Sequence, residues 1–237
     1  MRALGLLVLV VVTSVTLGRV VAGHPRAPRS PSASSEGLAR APGPTPTTVP
    51  AALSVDLPPA EVASLPQTAV KPSAGTPVFR SEMALLWAAV QRNDPSLARR
   101  AFFPERAYLR LKALPDDAAD WHHRLWANFV RDVAAAHRLL GAGASRARLV
   151  TTLVPSWQAG WIVPGTCFNR LPYWHLPGSR MVYTEAGQER SFGIASMISW
   201  RGVWYVVHFG AVYPPPGQGV VDAPAIGPGS FGPPGGC

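Results

Sequence analysis

The distribution of tryptophan and proline constrains the fold of this chain more than any other sequence feature. All eight Trp residues lie between Trp87 and Trp204. The segment before them, residues 23–79, holds 12 Pro and neither Trp nor Tyr, and residues 214–237 hold seven Pro and seven Gly. Proline lacks the backbone donor and restricts the residue before it, so such segments form neither helices nor sheet ladders. The sequence therefore predicts one folded domain, residues 80–213, between a disordered linker and a Gly/Pro-rich disordered tail.

Residues 1–22 have the pattern of a secretory signal peptide. A positive charge at Arg2 precedes an apolar run over residues 4–17, and Ala22 offers a small side chain for cleavage. Arg19 interrupts the stretch before it reaches the about 20 apolar residues that a spanning helix needs. We expect a secreted protein or one of the extracytoplasmic cell envelope; an uncleaved N-terminal membrane anchor is the alternative.

The chain is basic, with 22 Lys and Arg against 13 Asp and Glu and a net charge of +9. Only two of the basic residues are lysines, an arginine bias typical of a high-GC bacterial genome. A basic surface attracts anionic polymers, which makes an anionic envelope polymer one candidate partner. The longest basic run is Arg99–Arg100, whereas nucleic-acid binders carry clustered basic stripes. We therefore do not expect nucleic acid as a partner.

The first half of the domain has helical periodicity. Apolar residues at Met83, Leu86, Trp87 and Val90 follow the i, i+3, i+4, i+7 spacing of one helix face. A longer helix is predicted after an aspartate cap at Asp116 or Asp117. Its apolar stripe consists of Trp121, Leu125, Phe129, Val133, Ala136 and Leu140.

After Gly143 the pattern changes to β-strands. Arg201-Gly202 separates two strongly apolar segments and predicts a two-residue hairpin turn. In that register Trp200 opposes Val203, and Ala195 opposes His208. Both faces of this hairpin are apolar, so each must be covered, one by the helices and the other by a loop, a cavity or a second subunit. The fold class is therefore α+β, with N-terminal helices packed on a curved antiparallel sheet, and a homodimer is possible.

This order of elements, with the opening stretch Leu86–Pro95 and the closing hairpin Trp200–Tyr205, resembles the NTF2-like (SnoaL-like) superfamily. The resemblance implies a cone-shaped fold with an internal pocket. The superfamily includes isomerases, dehydratases, cyclases, transport factors and non-catalytic extracytoplasmic modules, so the fold implies no particular reaction. Its ketosteroid-isomerase-type members use an acidic base inside the cone. In this chain Asp120 is spaced to form a surface ion pair with Arg124 instead.

Five side chains are candidates for a site. His208 is predicted to face a region of small side chains, where Tyr205 or Tyr183 could join it in general acid–base chemistry. His175 and Trp174 lie in a predicted aromatic loop and are candidate ligand contacts. Packing roles for all five are the alternative. The sequence contains no metal-binding or nucleotide-binding motif, and we expect neither a metal nor a cofactor.

The two cysteines, Cys167 and Cys237, predict one disulfide in an oxidising compartment. Such a bridge would join the tail to the domain and contribute roughly 4 kcal/mol through loop closure. Free thiols or intermolecular bridging are the alternative.

These features together favour an exported α+β module that binds a ligand or a partner without catalysis. A small apolar molecule is a second candidate partner beside the anionic polymer. The alternative is a small NTF2-like enzyme of the isomerase or dehydratase type that uses a pocket histidine and a tyrosine.

Overall fold

The computed structural model describes residues 59–235. Its α-helices are α1 (Pro59–Ser64), α2 (Pro77–Arg92), α3 (Glu105–Leu111), α4 (Asp117–Asp120) and α5 (Ala127–Leu140), and a π-helical segment, Trp121–Trp126, joins α4 to α5. The strands are β1 (Arg148–Leu153), β2 (Gly160–Ile162), β3 (Tyr173–Glu185), β4 (Gln188–Trp200), β5 (Val203–His208) and β6 (Asp222–Ile226). Short 3-10 turns lie at Pro95–Ala98, Gly141–Gly143, Ser156–Gln158 and Thr166–Phe168. No helix within residues 59–235 is long and apolar enough to cross a membrane.

The two predicted helices are present, and the first begins earlier than its apolar pattern indicated. The Thr76 hydroxyl caps α2 by accepting a hydrogen bond from the Phe79 amide at 3.2 Å. The helix ends at Asn93, whose φ of 52° places it in the left-handed region. Asp116 caps the second helical segment, as expected, and the whole predicted stripe from Trp121 to Leu140 is buried.

The strands form one curved antiparallel sheet, which confirms the α+β prediction. Its order is β1-β3-β4-β5, with β2 paired to β3 and β6 paired to β4. One side of the sheet packs on the helices. There the Phe192 ring lies 6.3 Å from Trp87 of α2, and Phe209 lies 6.0 Å from Phe129 of α5. We call this the helix-facing side and the opposite surface the outer side.

The predicted hairpin forms, but its register changes partway along. Arg201 and Gly202 both have positive φ, as a two-residue hairpin turn of this type requires. The predicted pairing holds from the turn to Met197, where a β-bulge shifts it. His208 consequently pairs with Ser196, and the predicted pairing with Ala195 is wrong. A bulge sets two residues of one strand against one of its partner, which the simple two-residue periodicity did not anticipate.

The C-terminal segment, predicted to lack regular structure, is ordered through Gly235. β6 adds to the sheet beside β4. The buried Asp132 carboxylate of α5 accepts hydrogen bonds from the Gly210 and Val220 amides at 2.9 and 2.8 Å. These partners lie far apart in sequence, so the composition of the segment alone could not reveal them.

Arg180 of β3 is the main attachment point for this segment. Its side chain is only 2% exposed. The guanidinium donates to the carbonyl oxygens of Ala223, Pro228 and Ser230 at 2.8, 2.8 and 3.1 Å, and to the Ser191 hydroxyl at 2.7 Å. The guanidinium of a strand residue therefore supplies the hydrogen-bond donors for carbonyl oxygens of the Pro/Gly-rich segment.

The segment before α2 is also packed, in contrast to the prediction of a linker extending to residue 79. The Trp200 indole donates to the Val62 carbonyl at 3.1 Å. The Gln67 side chain donates to the Ser199 carbonyl at 2.9 Å and accepts from the Arg201 amide at 2.7 Å. The predicted signal peptide and residues 23–58 of the linker lie outside the described residues.

These two segments cover the outer side of the sheet. Residues 67–71 lie against the end near Ser199, and the C-terminal segment lies against Arg180. The apolar outer side, on which the homodimer prediction rested, is thus covered by the same chain.

Replacing Arg180 should release the C-terminal segment. In Arg180→Met the three carbonyls lose their donors, and we expect the free energy of unfolding to fall by about 2 kcal/mol. Limited proteolysis should then cleave within residues 217–235 faster than in the wild type. Arg190→Met is the control, because that guanidinium bonds to Glu185 and Gln188, outside the C-terminal segment, and the side chain is 40% exposed. Equal cleavage rates in both variants would contradict the attachment role.

Candidate functional site

A cavity of about 730 Å³ lies between the helix-facing side of the sheet and the helices. The sheet contributes His175, Ser196, Ile198 and His208 to its wall, and the helical layer contributes Tyr108, Lys112, Arg124 and Asn128. The C-terminal segment lines the remaining side through Pro214–Pro216, Gly232, Pro233 and Gly235. Three distant parts of the chain therefore enclose one space.

The C-terminal segment reaches this cavity by crossing β3. It contacts Arg180 on the outer side and then passes Gly178, between the parts of β3 that pair with β1 and β2. A Cβ at Gly178 would lie 2.7 Å from the Gly232 amide nitrogen, so only glycine permits this crossing. Beyond it, Gly235 lies beside His175.

The bulge in β5 explains why His208 faces the cavity. Successive strand residues normally point to opposite sides. Here the successive residues Val207 and His208 both line the cavity. The bulge pairs His208 with Ser196, which is itself a cavity residue, so His208 faces the same side as Val207. The predicted position of His208 in a pocket therefore agrees with the structure, although the predicted pairing does not.

Both cavity histidines are held in their neutral form. Burial lowers the pKa of His208 to about 3, and the positive charges of Arg124 and Lys112 act in the same direction. Burial likewise lowers the pKa of His175, where a hydrogen bond to the Gly235 backbone partly opposes the effect. At pH 7 each ring therefore offers one N–H donor and one acceptor nitrogen.

His175 also contacts a serine across the sheet. Its Nε2 lies 2.9 Å from the Ser196 Oγ. The Gly235 backbone is bonded to the ring as well, so both contacts together orient the His175 imidazole. Ser196 carried no signal in the sequence, because its partner lies 21 residues away on the neighbouring strand.

The helical wall carries a hydrogen-bonded network. Arg124 donates to both Asp120 oxygens, from Nε at 2.6 Å and from Nη2 at 2.7 Å, and to the Tyr108 hydroxyl at 3.2 Å. Tyr108 in turn donates to Asp120. The predicted pair of Asp120 and Arg124 is confirmed, but it borders the cavity and is not an isolated surface pair. Burial and the Asp120 carboxylate raise the pKa of Tyr108, so its hydroxyl keeps its proton.

Lys112 lies beside this network. Its Nζ donates to the Cys167 carbonyl at 3.0 Å and sits 5.9 Å from the centre of the Tyr173 ring. Within residues 59–235 no carboxylate forms a salt bridge with it. Burial, followed by repulsion from Arg124, lowers its pKa to about 8. The sequence analysis missed Lys112, although its position one helical turn after Tyr108 was an available signal.

The two candidate tyrosines lie in the core and not at the cavity. Tyr183 packs between Trp87 and Phe192, with ring centres 5.2 and 5.6 Å away. Tyr205 packs against Phe103 at 5.9 Å, and burial raises its pKa. The structure therefore does not bring either tyrosine together with His208.

Trp174 and His175, predicted in a loop, belong to β3 and point to opposite sides of the sheet. The Trp174 ring lies on the outer side, 5.3 Å from Trp161, and its indole donates to the Ala69 carbonyl at 3.0 Å. Of the two predicted ligand contacts, only His175 lines the cavity.

Two further predictions concern the cysteines and a metal site. Cys167 lines the cavity, but Cys237 lies outside the described residues, so their disulfide stays a prediction. No group of three or more His, Cys, Asp or Glu suited to a metal occurs between residues 59 and 235.

Comparisons of the chain with protein-family models, with curated proteins and with solved structures gave no match. The resemblance to the NTF2-like superfamily therefore stays a prediction from the order of elements and the two sequence motifs.

One buried carboxyl lies away from the cavity. Glu82 of α2 is 5% exposed, and its Oε2 has no hydrogen-bond partner. Burial raises its pKa from 4.5 to about 8, against the opposing charge of Arg100. The same carboxyl contributes to the raised pKa of Tyr205.

This burial predicts a pH-dependent stability. Between pH 4.5 and about 8 the folded state keeps the Glu82 proton that the unfolded state releases, so stability falls as pH rises. Glu82→Gln should remove that fall and stabilise the domain at pH 7 by more than about 1 kcal/mol. Urea denaturation at pH 5, 6, 7 and 8 measures this. Exposed Glu189→Gln is the control, and an unchanged pH slope in Glu82→Gln would refute the assignment.

Proposed function

We propose that this chain is an exported α+β module that binds a small molecule in the cavity without catalysing its conversion. The cavity supports this proposal most directly. Its volume of about 730 Å³ lies within the roughly 300–1,000 Å³ range of small-molecule sites. Its lining is largely apolar, with a few inward-facing polar groups, which is the usual composition of such sites.

The arrangement of the cavity favours binding over catalysis by the predicted groups. His208 has neither tyrosine beside it, and its depressed pKa makes it a weak base. The cavity also favours a small ligand over an anionic polymer, since the C-terminal segment closes one side of it. A polymer would need an open groove.

We further propose that the domain belongs to the NTF2-like superfamily and acts outside the cytoplasm. A helical layer on a curved antiparallel sheet, enclosing a cavity, supports the first proposal. The signal-peptide pattern of residues 1–22 supports the second. An oxidising compartment would allow the Cys167–Cys237 disulfide. Gly235, two residues before Cys237, lines the same cavity as Cys167, so the bridge would hold the C-terminal segment against the cavity.

Blocking part of the cavity should weaken binding. Wild-type protein should bind the neutral fluorescent probe N-phenyl-1-naphthylamine saturably, with enhanced fluorescence. Ala211→Trp places an indole at the cavity wall and should weaken binding at least about tenfold, since displaced contact area costs about 25 cal/mol per Å².

The matched control is Ala142→Trp, at an exposed position outside the cavity, which should bind the probe like the wild type. Circular dichroism and the melting temperature establish that both variants are folded. Absence of saturable binding in the wild type, or equal binding by Ala211→Trp, would refute the proposal.

The contact between His175 and Ser196 supports a second candidate function, the hydrolysis of an ester or another acyl compound. His175 Nε2 would take the proton from Ser196 Oγ as the Oγ bond to the acyl carbon forms. The proton would then pass to the leaving group, and water would hydrolyse the acyl-enzyme. In this candidate Ser196 replaces the tyrosines as the partner of a cavity histidine.

A fluorophosphonate probe distinguishes the two functions, because it modifies serines activated by a base. If Ser196 is a nucleophile, mass spectrometry should find one adduct, lost in Ser196→Ala and reduced at least about 100-fold in rate in His175→Gln. Ser199→Ala, a buried serine of the same strand outside the cavity, should keep it. An unlabelled wild-type protein would exclude this candidate and leave the binding proposal in place.

A further inference from the structure

The charged groups around the cavity differ in whether an opposite charge lies beside them. Arg124 is paired with Asp120. Asp222 lies in the field of Arg180, which stabilises its charge. Lys112 has only the neutral Cys167 carbonyl as a hydrogen-bond acceptor. Among the described residues that line the cavity, Lys112 is therefore the one cation without a bonded carboxylate.

Positive potential converges on the same part of the cavity. Lys112 and Arg124 act on His208, and Lys112 acts on His175, in each case against protonation. Arg124 also acts against the charge of Lys112 itself, and the Asp120 carboxylate partly opposes these effects at Lys112 and His208. Groups that repel one another in this way, with low-dielectric walls around them, form a favourable environment for an anion.

Much of the remaining cavity surface is apolar. Leu125 of the helical layer, Ile198 of β4 and Val207 of β5 face the cavity, and prolines 214–216 continue this surface. A ligand that uses both parts needs an anionic group and an apolar body. A singly charged carboxylate suits one cation without an ion pair, because its two oxygens can accept from an ammonium and an imidazole N–H together.

We propose that the ligand is a small amphiphilic carboxylic acid, whose carboxylate Lys112 binds together with the N–H group of His208. This inference rests on the proposed binding function and specifies its ligand class. It adds Lys112 as the residue that distinguishes an acid from a neutral molecule of the same shape. The apolar wall then binds the hydrocarbon part of either molecule.

Two ligands of equal chain length test the inference on full-length mature protein. Decanoate and decanol are each titrated against the bound neutral probe N-phenyl-1-naphthylamine at pH 7. Decanoate should displace the probe at a concentration at least about tenfold lower than decanol, a preference of about 1.4 kcal/mol. Lys112→Met should lose this preference by weakening decanoate while leaving decanol unchanged.

Two further variants serve as controls. Lys112→Arg keeps the charge and should retain most of the preference for decanoate. Lys71→Met removes a lysine that donates to the Ser156 carbonyl outside the cavity and should behave like the wild type. If Lys112→Met does not fold, the comparison of decanoate with decanol on the wild type still tests whether the cavity prefers a carboxylate.

The outcomes separate this inference from the proposed function. Equal displacement by decanoate and decanol would overturn the carboxylate inference and leave small-molecule binding intact. A preference that persists in Lys112→Met would also overturn it. Failure of the wild type to bind the probe or either ligand would refute the binding function itself.

Discussion

The structure depends on one constraint, a β-sheet that is apolar on both sides and must be shielded from water on each. The helices cover one side through contacts such as Trp87 on Phe192. The outer side is covered by two segments of the same chain, one before α2 and one after β5. Because both segments are rich in proline, they supply few backbone donors, and side chains of the sheet and of the first segment provide the hydrogen bonds instead. Arg180 and Gln67 have this role.

The cavity follows from the same arrangement. The helical layer leaves a space over β3, β4 and β5, and the C-terminal segment closes one side of it after crossing β3 at Gly178. A bulge at the end of β5 directs His208 into that space. The polar groups there are buried enough that both histidines stay neutral. Among the described residues, Lys112 forms no salt bridge, and its ammonium donates only to the neutral Cys167 carbonyl. The proposed preference for a carboxylate is a consequence of this imbalance.

Local pattern predicted much of the fold and less of the site. The stripe from Trp121 to Leu140, the cap at Asp116 and the turn at Arg201-Gly202 depend on neighbours within a few residues, and all three are confirmed. His208 was found because small side chains face it in the predicted hairpin, and His175 because aromatic residues surround it in a predicted loop. Tyr183 and Tyr205 were not distinguished from cavity residues. Strand periodicity predicts which side of the sheet a residue faces, but it does not predict where along the strand the helices leave a cavity.

The sequence by itself determined the α+β class, the antiparallel hairpin and the two apolar sheet faces, because periodicity and turn residues act over short distances. Only the tertiary structure decided how those faces are covered and where the cavity lies. The pairs that decide this join residues far apart in the chain, such as Arg180 with Pro228 and His175 with Ser196. Proline-rich composition indicates that a segment cannot build its own hydrogen-bonded structure. It does not indicate whether another part of the chain offers the donors that hold it in place.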